Sequence, residues 1–140
     1  MIIGEFSVRI KGTLCALKIG ENYCFYFKDA EETSFNSLRS EVMKTYWKDE
    51  DSGKTFFFIF VHEHNEDYLI SDDELISVKL VDLQQGKKYK FIYDNGASSI
   101  GEFIESKKIG NKIHSIWIDF GRQPAYLNYN DIFFIETIDS

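Results

Sequence analysis

The sequence predicts an α+β fold, a mostly antiparallel β-sheet or small barrel with one amphipathic helix over about 34–47 packed on it. Three observations carry that prediction. Apolar residues alternate at period 2 in several short segments, one stretch switches to the helical period, and turn residues punctuate the second half at short intervals. The chain has 140 residues, 44% of them hydrophobic, with 13 Phe, 8 Tyr and 2 Trp. That is enough apolar material for one real core and excludes disorder. The expected organisation is a single domain, with hairpin, helix and central strand in 1–70 and an antiparallel meander or barrel in 76–140, and no internal repeat stands out.

Phe6, Val8 and Ile10 alternate with Ser7 and Arg9, as a half-buried strand does. Leu14–Ile19 and Tyr23–Phe27 read as a hairpin closed by Gly20-Glu21-Asn22. Phe35, Leu38, Val42, Met43, Tyr46 and Trp47 then form one stripe at helical spacing, with Thr33 or Ser34 as cap. A polar turn at 49–53 leads into Phe56–Val61, aromatic or β-branched throughout, which predicts a central strand covered on both faces. Ser71-Asp72-Asp73-Glu74 has the spacing of a capping box and predicts a short helical turn. Val78–Leu83, Lys88–Tyr93, Ser99–Glu105, Ile113–Phe120 and Asp131–Ile138 read as strands. They are separated by turns at Gln85-Gly86, Asp94-Asn95-Gly96, Gly110-Asn111 and Gly121.

The run from Leu83 to Gly96 resembles a family named after the third open reading frame of a Ri plasmid and also carried as a transposon passenger. Its members have a Leu, a Gly and then an aromatic-x-Tyr-Asp-x-Gly-Asp hairpin, matched here by Leu83, Gly86, Phe91, Tyr93, Asp94 and Gly96. The resemblance spans about residues 6–105 and includes a helix with Leu38, Val42 and Trp47 before an aromatic strand such as Phe56–Phe60. It implies an α+β domain and assigns no settled biochemical role. Members continue with an Asp, a Trp and a His where Ala97, Ser99 and Gly101 stand here, and their early Pro-x-Trp-Arg is missing, so any site built on those residues is absent from this chain. A second resemblance is to small Sm-like or SH3-like barrels. It places Asn95-Gly96 between the first two strands and Leu127–Ile132 at the opening of the last.

Charge and chemistry narrow the function classes. The formal net charge of −7 disfavours coating of a phosphate backbone, which depends on cations releasing counterions. The amino terminus lacks the pattern of a secretory signal, and the longest apolar run, 56–61, is far short of a membrane span, so a cytoplasmic protein without a membrane partner is expected. Cys15 and Cys24 are expected to be buried thiols in a reducing compartment. The plentiful Ile, Asn and Lys suit an AT-rich bacterial or phage genome.

No nucleophile elbow, P-loop or dinucleotide fingerprint occurs, so the reading leans away from an enzyme and calls for no cofactor. Between 49 and 74, nine acids face Lys54 alone, a local net of −8. The leading expectation is therefore a non-enzymatic inhibitor, immunity-type or accessory factor. It would hold a basic protein through Asp49, Glu50, Asp51, Glu66, Asp67, Asp72, Asp73 and Glu74. Residues 84–124 instead carry a net of +3 interleaved with aromatics. There Lys88, Lys90, Trp117, Arg122, Tyr126 and Tyr129 form the alternative, a site for nucleic acid or a small anionic ligand. The third candidate is a metal-dependent enzyme at His62 and His64, which would share one face of a strand, with Glu66 as a third ligand. Oligomeric state is left open by the sequence.

Overall fold

The computed structural model describes residues 4–28, 39–110 and 112–138, and these are nearly all strand. The chain divides into two compact units, Met1–Val81 and Asp82–Ser140.

In the first unit, β1 (Glu5–Ile10) and β2 (Thr13–Lys18) form a hairpin of their own, with Val8 opposite Cys15. Lys11 and Gly12 turn it with φ of 50° and 79°. Two successive left-handed residues match the twist of the flanking strands, and glycine takes that conformation without strain. The expected pairing of Leu14–Ile19 with Tyr23–Phe27 does not occur, and among the described residues β2 pairs with β1 alone. Instead β3 (Asn22–Phe27), β4 (Ser40–Lys48), β5 (Thr55–Val61), β6 (Glu66–Ser71) and β7 (Leu75–Leu80) form a sheet in the order β7-β3-β4-β5-β6, every pair antiparallel. The inner side chains Tyr23, Phe25, Val42, Phe57, Ile59 and Val61 are fully buried, as are Ile10 and Leu17 of the hairpin. Phe6 meets Phe57 at 5.3 Å between ring centroids.

The expected helix is a correction to the fold class. Residues 40–48 are strand β4, 34–38 lie outside the described residues, and no amphipathic helix packs on a sheet among those described. A bulge interrupts β4, since Val42 pairs with Ile59 but Tyr46 with Phe57, so four steps on β4 match two on β5. The helical reading fails because residues four apart share a face on a strand as well as on a helix: Val42 and Tyr46 pair with the inward Ile59 and Phe57, whereas Trp47 pairs with the outward Phe56. Strand β5 lies inside the sheet, next to its edge strand β6, and, contrary to expectation, is not covered on both faces: Phe56, Phe58 and Phe60 on the outer face are half-buried.

In the second unit, β8 (Lys88–Tyr93), β9 (Ser98–Ile109), β10 (Lys112–Asp119), β11 (Pro124–Asn128) and β12 (Ile132–Thr137) take the order β11-β10-β9-β8-β12, again antiparallel. The Asp94-Asn95-Gly96 hairpin is present. Gly96 alone turns left-handed, with φ of 88°, while Asn95 Oδ1 accepts the Ala97 N–H at 2.9 Å. Pro124 opens edge strand β11, a place where its missing N–H removes no ladder bond.

The two units repeat one plan, although no repeat stands out in the sequence. Each is a four-strand meander, a single 3-10 turn (Asp72–Glu74 or Tyr129–Asp131) and a final strand that pairs back on the first. In the second unit the Asn95-Gly96 turn joins β8 to β9 and residues 127–131 lead into β12, and residues 22–80 have the same order of connections. Gly20-Glu21-Asn22-Tyr23-Cys24-Phe25 corresponds to Gly86-Lys87-Lys88-Tyr89-Lys90-Phe91. Tyr23 and Tyr89 are both buried.

Candidate functional site

The nine acids of 49–74 do not form one surface. Strand β5 separates them, and its seven residues span about 20 Å at the rise of a strand. Asp49, Glu50, Asp51, Asp72, Asp73 and Glu74 gather at its start, whereas Glu63, Glu66 and Asp67 lie around its far end.

The six-acid end is held together by the side chains themselves. Asp72 is 5% exposed and receives the N–H of Arg9 on Oδ2 at 2.9 Å and that of Thr55 on Oδ1 at 3.1 Å. It thus joins β1, β5 and the 3-10 turn, and it is a structural carboxylate. The expected capping box exists, with the Ser71 N–H donating to Glu74 Oε2 at 3.0 Å. Ser71 Oγ donates to Asp73 Oδ1 at 2.5 Å, and Lys54 Nζ lies 3.1 Å from Asp73 Oδ2. These two contacts, the hydroxyl first, lower the Asp73 pKa. Asp49 accepts the Ser52 hydroxyl at 2.6 Å, the leading cause of its own lowered pKa. Both carboxylates are therefore fixed in their charged form at neutral pH, while Glu50 and Asp51 stand exposed in the turn. Beside this end opens a cleft of about 240 Å³ lined by Phe6, Leu14, Tyr46, Lys48, Thr55 and Asp72 among others, with Phe6 and Tyr46 stacked at 4.4 Å.

The histidine pair is not brought together. The chain leaves the strand at Val61 and turns through 62–65, with Asn65 at φ 53°, so the same-face argument of a strand does not apply. His62 Nε2 lies 3.0 Å from Asn22 Oδ1, whereas His64 Nδ1 lies 3.0 Å from the Tyr68 hydroxyl. That hydroxyl donates to Glu66 Oε2 at 3.2 Å. Desolvation, reinforced by Glu66, raises the Tyr68 pKa. Among the described residues, no group of three or more His, Cys, Asp or Glu is placed to hold a metal ion.

The second unit separates its six candidates as well. Trp117 and Tyr126 are cross-strand partners, stacked at 4.8 Å with Tyr126 53% exposed. Tyr129 is buried in the second 3-10 turn, and Arg122 sits in the β10–β11 loop. Lys88 and Lys90 lie on β8, opposite Glu102 and Glu136, with β9 between them and Trp117. At Gly101 a Cβ would collide with Ile118 Cγ2, so this position has no room for a side chain.

One surface was missed by sequence reasoning. On the outer face of β4–β5–β6, Trp47 stacks on Phe56 at 5.5 Å and is 44% exposed, and Phe58 stands opposite Leu69, which is 51% exposed. The available signal was the unbroken aromatic run 56–60, whose second face is presented outward. Among the described residues, no helix is long and apolar enough to cross a membrane. Comparison of the chain with protein-family models, curated proteins and solved structures finds no match.

Proposed function

We propose that this chain is a non-catalytic, cytoplasmic binding protein that holds a basic protein partner through the acidic end of its first unit. The carrying observation is the meeting of the 49–51 turn and the 72–74 turn at the start of β5, linked through Asp72 to Thr55 and through Asp73 to Lys54. Charges preset on rigid turns attract a basic surface and hasten its docking without reorganisation. Asp72 supports the geometry, and Asp49, Glu50, Asp51, Asp73 and Glu74 supply the field. The test is capture from cells of the native host with the wild type and with Asp49→Lys/Asp51→Lys/Asp73→Lys, each at low and moderately high salt. Loss of one basic protein from the variant and at high salt is expected. Capture unchanged by the triple reversal would refute the reading.

A second reading, nucleic-acid binding by the second unit, is favoured by the Trp117–Tyr126 stack alone, whose exposed member, Tyr126, could take a base. Glu105 directly opposite Trp117 and the acids facing Lys88 and Lys90 weigh against it. Retention of single-stranded RNA that disappears in Trp117→Ala would establish it.

A further inference from the structure

The solvent face of an antiparallel sheet ordinarily alternates to polar residues, and here it does not. Trp47, Phe56, Phe58, Phe60 and Leu69 form a continuous aromatic strip over β4, β5 and β6. The equivalent place in the second unit, one residue pair on its third and fourth strands, is again apolar, with one half-buried and one exposed member: Phe58 with Leu69 corresponds to Trp117 with Tyr126. The strip has acids at both ends, Asp49, Asp51 and Asp73 at the start of β5 and Glu63, Glu66 and Asp67 at its close.

We propose that this strip docks an extended segment of a partner protein that has aromatic or aliphatic side chains at its centre and lysine or arginine at both ends. Charge complementarity selects the occupant. A seven-residue strand is flanked by carboxylates on both sides, so an apolar centre of six or seven residues puts basic flanks over both acidic ends. The strip supplies the desolvated anchors, with Trp47 at its edge, and the acids set orientation and rate. The inference rests on the basic-partner reading but assigns the affinity to a different set of residues.

The test is selection of a displayed library of random 16-residue peptides on the full chain, followed by affinity measurement for the enriched peptides. Enriched sequences are expected to have basic residues on both sides of an apolar centre. Trp47→Ser/Leu69→Ser is expected to weaken them about tenfold, with an unchanged circular dichroism spectrum and melting temperature. Basic peptides with no apolar centre, bound equally by Trp47→Ser/Leu69→Ser, would overturn this inference and leave the basic-partner reading standing. No enrichment of basic residues at all would overturn both. Sedimentation of the wild type as a dimer that Trp47→Ser/Leu69→Ser returns to a monomer would show that a second copy covers the strip, and would also overturn the proposal.

Discussion

Tyr23 and Tyr89 make the same hydrogen bond in the two units. The hydroxyl of Tyr23 accepts the backbone N–H of Lys18 at 3.2 Å and that of Tyr89 accepts the N–H of Gln84 at 2.7 Å, five residues back in each case. A buried ring thus pins the segment that enters the first strand of each meander.

Removing either hydroxyl tests this directly. Tyr23→Phe and Tyr89→Phe keep the ring but strip a backbone donor of this acceptor, and each is expected to cost about 1–3 kcal/mol. Urea unfolding measures it; a shift under about 0.3 kcal/mol for both would mean that water replaces the hydroxyl without loss.

Asp72 and Asp73 are neighbours with opposite expected sensitivities. Asp72→Ala leaves the N–H groups of Arg9 and Thr55 without their carboxylate and is expected to destabilise by about 2–4 kcal/mol. Asp73→Ala removes an exposed contact and should change stability by less than about 1 kcal/mol. Thermal melts of the two variants decide the point, and equal costs would contradict the structural role of Asp72.

Gly101 lies against Ile118 and Phe120 with no space for a methyl group. Gly101→Ala is expected to cost about 1–3 kcal/mol through overpacking. Because the nearest atom is Ile118 Cγ2, the double variant Gly101→Ala/Ile118→Ala should cost less than the two single changes together. Strict additivity in chemical denaturation would place the strain elsewhere.

The lowered pKa values of Asp49 and Asp73 make a signed prediction. Groups whose folded pKa is depressed add stability above their unfolded pKa and lose it as pH falls through the folded value. The contribution is small at these exposed positions and is confined to acid, below about pH 4. Carboxyl carbon NMR titration should show the Asp49 pKa rising in Ser52→Ala and that of Asp73 rising in Ser71→Ala. No movement in either variant would remove the hydroxyls as the cause.

Legibility in the sequence followed locality. Lys88–Tyr93, the Gly96 turn and the Ser71–Glu74 box were readable because their causes lie within a few residues. Strand β4 was not, since residues four apart share a face on a strand as well as on a helix, and Val42, Tyr46 and Trp47 divide between two faces only through their pairing with β5. Strands β6 and β11 hid behind Glu66-Asp67 and Pro124, residues that suggest loops but are tolerated at sheet edges. The acids were visible as a run, yet their division between two ends of β5 depends on the β5–β6 pairing. The aromatic strip was half legible. The run 56–60 declared itself, but which of its faces stays open is decided by the β1–β2 hairpin covering the other.

Because each meander ends by pairing its last strand with its first, Tyr23 waits for Leu80 and Tyr89 for Thr137. Among the strand pairs of their units these ring-closing ones are the most distant in sequence, so their loop-closure entropy slows folding while the hairpins between them form early. On a ribosome each unit can complete its circuit only once its last strand, β7 or β12, has emerged, and until then the first strand of its meander, β3 or β8, presents an unpaired edge open to aggregation.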